Sequence, residues 1–134
     1  MKVDQYRMLI DGQTVEAQDR RQIDIENPAN RKVFAKVPRA GEADVERAVG
    51  AAARAFEKWR TVTARERGNL LLRIADAVEA EVDSIARIVA IENGNAIRTQ
   101  ARPEVKSAAD VFRYYGGVAS ELKGETIPLG ENML

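Results

Sequence analysis

Two stretches near the end of the chain do most to decide its fold: Phe112-Arg113-Tyr114-Tyr115-Gly116-Gly117 and, after six intervening residues, Gly124-Glu125-Thr126-Ile127-Pro128. The first stretch is aromatic and basic and closes on glycine, which is typical of the last turns of a packed helix. The second opens with glycine and continues with β-branched residues, which favour a strand. The pattern predicts a helix that ends at Gly124, and then a strand from about residue 125 that has no partner in this chain.

The N-terminal third of the chain contains two hairpin patterns. The apolar residues of 8–15 flank Asp11-Gly12, a pair that readily supplies the positive φ angles of a type I′ turn. In the second pattern, apolar and polar residues alternate over Ile23–Glu26, Asn27–Asn30 forms a turn, and Val33–Val37 returns. The sequence therefore predicts one or two β-hairpins before the first helix.

From Glu42 to Trp59 the apolar residues recur at every third or fourth position, which predicts a helix with one apolar stripe. The stripe consists of Val45, Val49, Ala52, Ala53, Phe56 and Trp59. Because such a stripe normally faces the interior, we expect Trp59, at its end, to pack in the core.

A capping box marks the start of the next helix. Thr63 can accept from the amide of Glu66, and the Glu66 carboxylate can reach back to the amide of Thr63. The apolar pattern that follows shifts its phase between Glu79 and Asp83, which indicates either a kink or two abutting helices. Asn93-Gly94 then predicts a helix end, with glycine in the left-handed conformation.

Residues 96–102 predict a short helical turn, and Pro103 is well placed as the first residue of a helix that runs to about Lys123. The fold class expected from these patterns is α/β. It consists of N-terminal β-hairpins, three or four helices and an unpaired strand.

The composition excludes several classes of protein. Hydrophobic residues make up 45% of the chain and charged residues 31%, and 21 basic residues balance 21 acidic ones. Without a basic surplus we expect no nucleic-acid partner and no acidic membrane partner. No apolar run approaches the roughly 18 residues of a membrane span, and the N-terminus lacks the apolar core of a signal peptide. A cytoplasmic location is the expectation.

The sequence contains no cysteine and no histidine. It therefore offers no thiolate nucleophile, no Cys/His zinc site and no Ser-His-Asp arrangement. Tyr114 and Tyr115 can in principle transfer protons, but beside Phe112 they more often pack in a core. Arg113 is expected to form a structural ion pair. Glu92-Asn93-Gly94 can either contribute to a cation site with backbone carbonyls or form a solvated turn, which is the commoner outcome.

Seven segments, in this order and spacing, together resemble the N-terminal region of the aldehyde dehydrogenase family. They are Leu9-Ile10-Asp11-Gly12, Glu26-Asn27-Pro28-Ala29, the helix from Asp44 to Trp59, Arg67 through Ile74, Glu92-Asn93-Gly94, Phe112-Arg113-Tyr114-Tyr115 and Gly124-Glu125-Thr126-Ile127-Pro128. The resemblance covers the chain from about Arg7 to Leu134.

The resemblance implies NAD(P)-dependent oxidation of an aldehyde to a carboxylate through a cysteine thiolate, in an enzyme several times longer than 134 residues. In the family, the catalytic residues and the main cofactor contacts lie downstream of this segment, so none is carried onto this chain. Residues 1–134 are then an incomplete N-terminal part of the cofactor-binding domain, and the strand from about residue 125 begins a hairpin used in oligomerisation.

The resemblance leads to further expectations. The full-length enzyme would use NAD or NADP and form a homo-oligomer, whereas this chain alone would bind no cofactor and be inactive. Exposed apolar helix faces would make the isolated chain self-associate. The competing interpretation is a free-standing helical protein-interaction module with no catalytic role.

The resemblance also implies two groups of site residues. Some family members bind a structural monovalent cation, which corresponds here to backbone oxygens of Ile25 and Glu26 and to Glu92. The helix that begins at Pro103 is similar to one that walls the family's substrate channel, with Pro103 and Ser107 at lining positions. The sequence departs from the family pattern at Asn95 and Ala96, where Lys and Pro are usual, and at Pro103.

Overall fold

The computed structural model describes residues 4–125 of the 134-residue chain. Five short strands lead into four helices: β1 (Asp4–Gln5), β2 (Met8–Ile10), β3 (Gln13–Val15), β4 (Gln22–Asn27), β5 (Lys32–Pro38), α1 (Glu42–Trp59), α2 (Ala64–Ala80), α3 (Val82–Asn93) and α4 (Arg102–Val118). A π-helical turn, Ile97–Ala101, precedes α4 directly. The α/β class predicted from the sequence is confirmed.

The strands form two small sheets, and both predicted hairpins are confirmed. β2 pairs with β3 antiparallel, and Asp11 and Gly12 between them have φ angles of 54° and 72°, as a type I′ turn requires. β4 pairs antiparallel with β5, and β1 adds to the other side of β5 in parallel. The β4–β5 ladder changes register between Ile25 and Glu26, where a β-bulge interrupts it.

The helix boundaries follow local chemistry closely. α1 spans the predicted residues, and α2 begins after the predicted capping box of Thr63 and Glu66. Of the two alternatives for 79–83, the structure has two separate helices, which meet at Glu81. α3 ends where Gly94 adopts a left-handed φ of 79°, as expected of a glycine that terminates a helix.

The predicted end of α4 is wrong. The helix ends at Val118 and does not reach Lys123, so Gly124 is not its stop. Gly116 and Gly117 instead lie inside its last turn, where two glycines weaken the helix because they gain the most backbone freedom on unfolding. The predicted strand from about residue 125 falls on residues 126–134, which lie outside the described part of the chain.

The core lies where α2, α3 and α4 meet. Val82 and Ala86 of α3 pack with Ala101 and Val105 at the start of α4. α2 and α4 cross at Gly68, where an added Cβ would lie 2.6 Å from the carbonyl oxygen of Gly116. Absence of both side chains therefore lets the two backbones touch.

Arg113 forms the predicted ion pair. Its guanidinium donates to Asp76 at 3.0 Å and to Glu79 at 2.8 Å, which joins α4 to the C-terminal half of α2. The two carboxylates raise the pKa of Arg113, Glu79 contributing most.

Within residues 4–125, several side chains that were expected in the core are exposed to solvent. Trp59 is 41% exposed, and Tyr114 and Tyr115 are 65% and 58% exposed, so the prediction that they pack in the core of this chain is wrong. α1 buries the face that carries Asp44 and Ala51. Its apolar stripe begins one residue further on, about 100° around the helix, and its large side chains Val45, Val49, Phe56 and Trp59 are exposed.

Candidate functional site

The predicted cation site lies where the β4–β5 turn meets the end of α3. Pro28, in the turn, is so close to Gly94 that an added Cβ on the glycine would lie 3.3 Å from the Pro28 Cγ. Ile25 and Glu26, the two residues whose backbone oxygens were predicted as ligands, flank the register shift: they pair with Ala35 and Val33, and Phe34 of β5 is the extra residue between them. The structure thus brings the end of β4 and the end of α3 together.

The acidic side chains of this region face solvent. Glu92 is exposed in the last turn of α3, and the exposed Glu26 carboxylate forms an ion pair with Arg31. Over residues 4–125, no group of three or more Asp, Glu, His or Cys side chains is arranged to hold a metal ion. The cation site, to which the resemblance assigned backbone oxygens of Ile25 and Glu26 together with Glu92, stays a prediction.

The two predicted channel residues lie on the first turns of α4. Pro103 is in the first turn of α4, directly after the π-helical turn, and Ser107 follows one turn later on the same side. Both are exposed. Their outward position leaves them available to line a surface.

A polar cluster holds the turn that precedes these residues. The Asn95 side-chain amide donates to both oxygens of Glu104, at 3.3 and 3.2 Å. The Gln100 side-chain oxygen accepts from the Ala96 amide at 3.1 Å. The Ala96 carbonyl in turn accepts from the amides of Gln100 and Ala101, at 2.9 and 3.1 Å. Asn95, Ala96, Gln100 and Glu104 together form a turn clamp.

Asp44 is a buried, structural carboxylate whose role the sequence reasoning missed. It is only 2% exposed, and its carboxylate accepts from the amides of Gly41 at 3.0 Å and Gln18 at 3.1 Å and from Arg47 at 2.6 Å. The Gly41 amide, then Arg47, lower its pKa because they stabilise the charged form. The sequence showed Asp44 only as an acid in the first helical turn; its distant partner, Gln18, left no local signal.

Nothing in the geometry supports proton transfer by the tyrosines. Tyr114 and Tyr115 pack edge to face, with ring centroids 5.3 Å apart, on an exposed part of α4. Gly116 and Gly117 lie inside the same helix, so they do not form the glycine turn between a strand and a helix that cradles a phosphate.

The comparisons with known proteins agree with each other. The sequence profile of the aldehyde dehydrogenase family matches residues 14–134. The chain belongs to the aldehyde dehydrogenase family. An aldehyde dehydrogenase from Aspergillus niger is 39% identical over 95% of this chain.

Solved structures of aldehyde dehydrogenases superpose closely on the chain. A Burkholderia cenocepacia protein assigned as an aldehyde dehydrogenase is 43% identical, with a TM-score of 0.89 over 95% of this chain. An NAD-dependent aldehyde dehydrogenase from Sinorhizobium meliloti is 35% identical, with a TM-score of 0.88 over 92% of this chain. These matches fall on the N-terminal segment of the aldehyde dehydrogenases.

The chain spans only a part of its aldehyde dehydrogenase relatives. It covers 26% of the Aspergillus niger protein and 25% of the Sinorhizobium meliloti chain. This proportion agrees with the expected N-terminal fragment, and no comparison supports a free-standing interaction module. None of the helices in the described residues has the length and apolar character needed to cross a membrane.

Proposed function

We propose that this chain is the N-terminal part of an NAD(P)-dependent aldehyde dehydrogenase, which oxidises an aldehyde to the carboxylate. The observation that carries the proposal is the family match over residues 14–134. The NAD dependence of the Sinorhizobium meliloti relative supports a nicotinamide cofactor. Whether the full-length enzyme uses NAD or NADP depends on residues outside this chain.

The residues of this chain do not fit the cofactor or the chemistry by themselves. The sequence has no cysteine to act as the thiolate nucleophile, and its paired glycines are used inside α4. No reaction step can therefore be assigned to residues 1–134. We expect the isolated chain to be inactive and to show no NAD binding at micromolar concentrations, since such an affinity needs about 8 kcal/mol.

The same proposal covers the domain and the assembly. Residues 1–134 form an incomplete N-terminal portion of the cofactor-binding domain, and the strand from about residue 125 begins the oligomerisation hairpin. The full-length enzyme is proposed to be a cytoplasmic homo-oligomer. The exposed stripe of α1 supports packing against further protein, because large apolar side chains such as Phe56, 56% exposed, favour burial.

A monovalent cation is proposed to bind the backbone oxygens of Ile25 and Glu26, with Glu92 supplying charge. The contact between Pro28 and Gly94 supports this site, because it holds the β4–β5 turn against the end of α3. Carbonyl and carboxylate oxygens are the ligands that hard cations prefer.

Pro103 and Ser107 are proposed to line the substrate channel. Their exposure on one side of α4 supports the proposal, because a channel wall must present side chains that its own domain leaves uncovered. The identity of the aldehyde depends on the residues that face them.

The test begins with the gene that encodes this sequence. Reading past Leu134 should reveal a continuation with a cysteine nucleophile, and a stop codon at position 135 would instead favour a separate module. The encoded polypeptide should reduce NAD or NADP when supplied with a panel of aldehydes, measured by absorbance. The 134-residue chain serves as the matched negative control, and turnover by that chain after repurification would overturn the assignment.

A further inference from the structure

The turn between α3 and α4 has a conformation that needs an explanation. Residues Ile97–Ala101 form a π-helical turn, in which Ala101 donates to Ala96 and Arg102 donates to Ile97, five residues apart in each case. A π turn holds one residue more than an α turn and is less favourable, so it persists only where other contacts hold it.

The extra residue has a consequence for α4. An α-helix turns about 100° per residue, so closing the segment as an α-helix would displace one residue into the loop after Gly94 or rotate α4 against its neighbours. The observed phase places Ala101 and Val105 in the core, at 0% and 5% exposure. It also leaves Pro103 and Ser107 on the exposed side.

We infer that Asn95 and Gln100 are positioning residues, whose side chains hold the π-helical turn and thereby set the orientation of the first turns of α4. The Gln100 side-chain oxygen accepts a hydrogen bond from the Ala96 amide. The Ala96 carbonyl accepts hydrogen bonds from the backbone amides of Gln100 and Ala101. Asn95 spans the turn from outside and bonds to Glu104 in the first turn of α4.

The two contacts act at different places. The Gln100 contact satisfies an amide that the loop would otherwise leave to solvent, and it fixes where the turn begins. The Asn95 contact joins the loop to α4 and fixes where the turn ends. Both can contribute because each is a hydrogen bond within a short segment, where little chain entropy opposes its formation.

The functional consequence rests on the proposed function. If Pro103 and Ser107 line a substrate channel, the turn clamp determines the position of these two residues without contacting the substrate. The conformational claim does not depend on catalysis, and hydrogen exchange measures it directly.

The experiment is hydrogen exchange by mass spectrometry on the polypeptide from the parent gene, followed on fragments that cover residues 94–107. Gln100→Ala should speed exchange at Ala96 by about fivefold, the factor that corresponds to one net hydrogen bond of about 1 kcal/mol. Gln100→Glu keeps an acceptor at the same position and should restore protection. Thr99→Ala, an exposed change in the same turn, is the control and should leave exchange unchanged.

A double-mutant cycle tests the second contact. Asn95→Ala and Glu104→Ala should each speed exchange at the Arg102 amide, and the double variant should add little to either single one. Additive effects, no acceleration at Ala96 in Gln100→Ala, or failure of Gln100→Glu to restore protection would each overturn the inference.

An activity measurement separates this inference from the proposed function. In an active parent enzyme, Gln100→Ala and Asn95→Ala should raise KM for the aldehyde more than they lower kcat, because the clamp acts on the wall of the channel. A parent polypeptide without aldehyde oxidation would refute the proposed function but leave the exchange result standing. Faster exchange with unchanged KM would overturn the part of the inference that concerns the channel.

Discussion

Gly68 and Gly116 face each other at the crossing of α2 and α4. The backbone of each glycine occupies the space that a side chain on the other would need. A Cβ on Gly68 would lie 2.6 Å from the Gly116 carbonyl oxygen, and one on Gly116 would lie 3.0 Å from the Gly68 carbonyl oxygen. Neither glycine has a positive φ. Both are therefore required for close approach and not for an unusual backbone conformation.

Gly68→Ala should destabilise the chain. Alanine is the better helix former by about 1 kcal/mol, but the clash is with backbone, which cannot move aside as a flexible side chain can, and overpacking costs about 1–3 kcal/mol or more. Urea unfolding should show a lower midpoint. Gly117→Ala is the matched control, because nothing lies within 4 Å of its added Cβ. It should stabilise the chain, by up to about 1 kcal/mol. If the Gly68→Ala variant were as stable as the Gly117→Ala variant, the close contact between the backbones of α2 and α4 at Gly68 would be wrong.

Asp44→Asn should lower the Tm, because the amide replaces a buried carboxylate that accepts from Gly41, Gln18 and Arg47. Thermal unfolding at neutral pH measures the change. Glu46→Gln is the control, since it neutralises an exposed acid on the same helix. Equal effects of the two substitutions would mean that the Asp44 contacts do not hold the N-terminal segment to α1.

Acid should weaken the fold through the same carboxylate. The pKa of Asp44 is below its usual 3.8, first because of the Gly41 amide. A lowered pKa means that the unfolded state binds more protons, so the contribution is complete above the unfolded pKa and disappears as pH falls through the folded one. Asp19 and Glu66, whose pKa values are also lowered, act with the same sign. Urea midpoints should therefore fall as the pH is lowered below the unfolded values of 3.8 for aspartate and 4.5 for glutamate. The fall should be smaller in Asp44→Asn, and a profile unchanged by that substitution would rule out its part.

The isolated chain should self-associate through the apolar stripe of α1. Phe56 and Trp59 are 56% and 41% exposed, and they lie near Val62 on an open apolar groove. Light scattering should show oligomers at micromolar concentrations, and Phe56→Glu should shift the distribution towards monomer. Leu122→Glu removes an even more exposed side chain from another part of the chain and is the control. A monomeric chain that unfolds cooperatively would refute this prediction.

A monovalent cation should stabilise the parent polypeptide if the proposed site binds one. Sodium or potassium at ten times its Kd should add about 1.4 kcal/mol to the free energy of unfolding, relative to choline at equal ionic strength. Glu92→Gln should reduce this difference, whereas Glu57→Gln, an exposed acid at the end of α1, should not. Equal stability in all three salts would exclude the site.

The features predicted best from the sequence depend on neighbours in the chain. The Asp11-Gly12 turn, the capping box at Thr63 and the end of α3 at Gly94 each follow from the conformations that those residues prefer. The family was predicted separately, from the resemblance of seven segments in order and spacing, and the family match over residues 14–134 confirms it.

The features predicted poorly depend on distant partners. Gly116 is a residue type that commonly ends helices, but in this fold it lies inside α4. Its role there, which is to allow close packing, depends on Gly68 in another helix. The apolar pattern of α1 shows that Trp59 favours burial, and cannot show whether the covering residues belong to this chain. For the same reason, Ile25, Glu26, Glu92, Pro103 and Ser107 keep their predicted roles only as proposals.

The hydrogen bonds of Asp44 also bear on the order in which this segment can form during synthesis. Asp44 joins Gln18, 26 residues earlier, to the start of α1, so the strands and the first helical turn can be secured once residues up to about Arg47 have left the ribosome. The Gly68–Gly116 crossing joins residues nearly twice as far apart, and α2 must wait for α4 before it can bury that face. During synthesis, α2 therefore passes through a period in which the face that carries Gly68 has no partner helix.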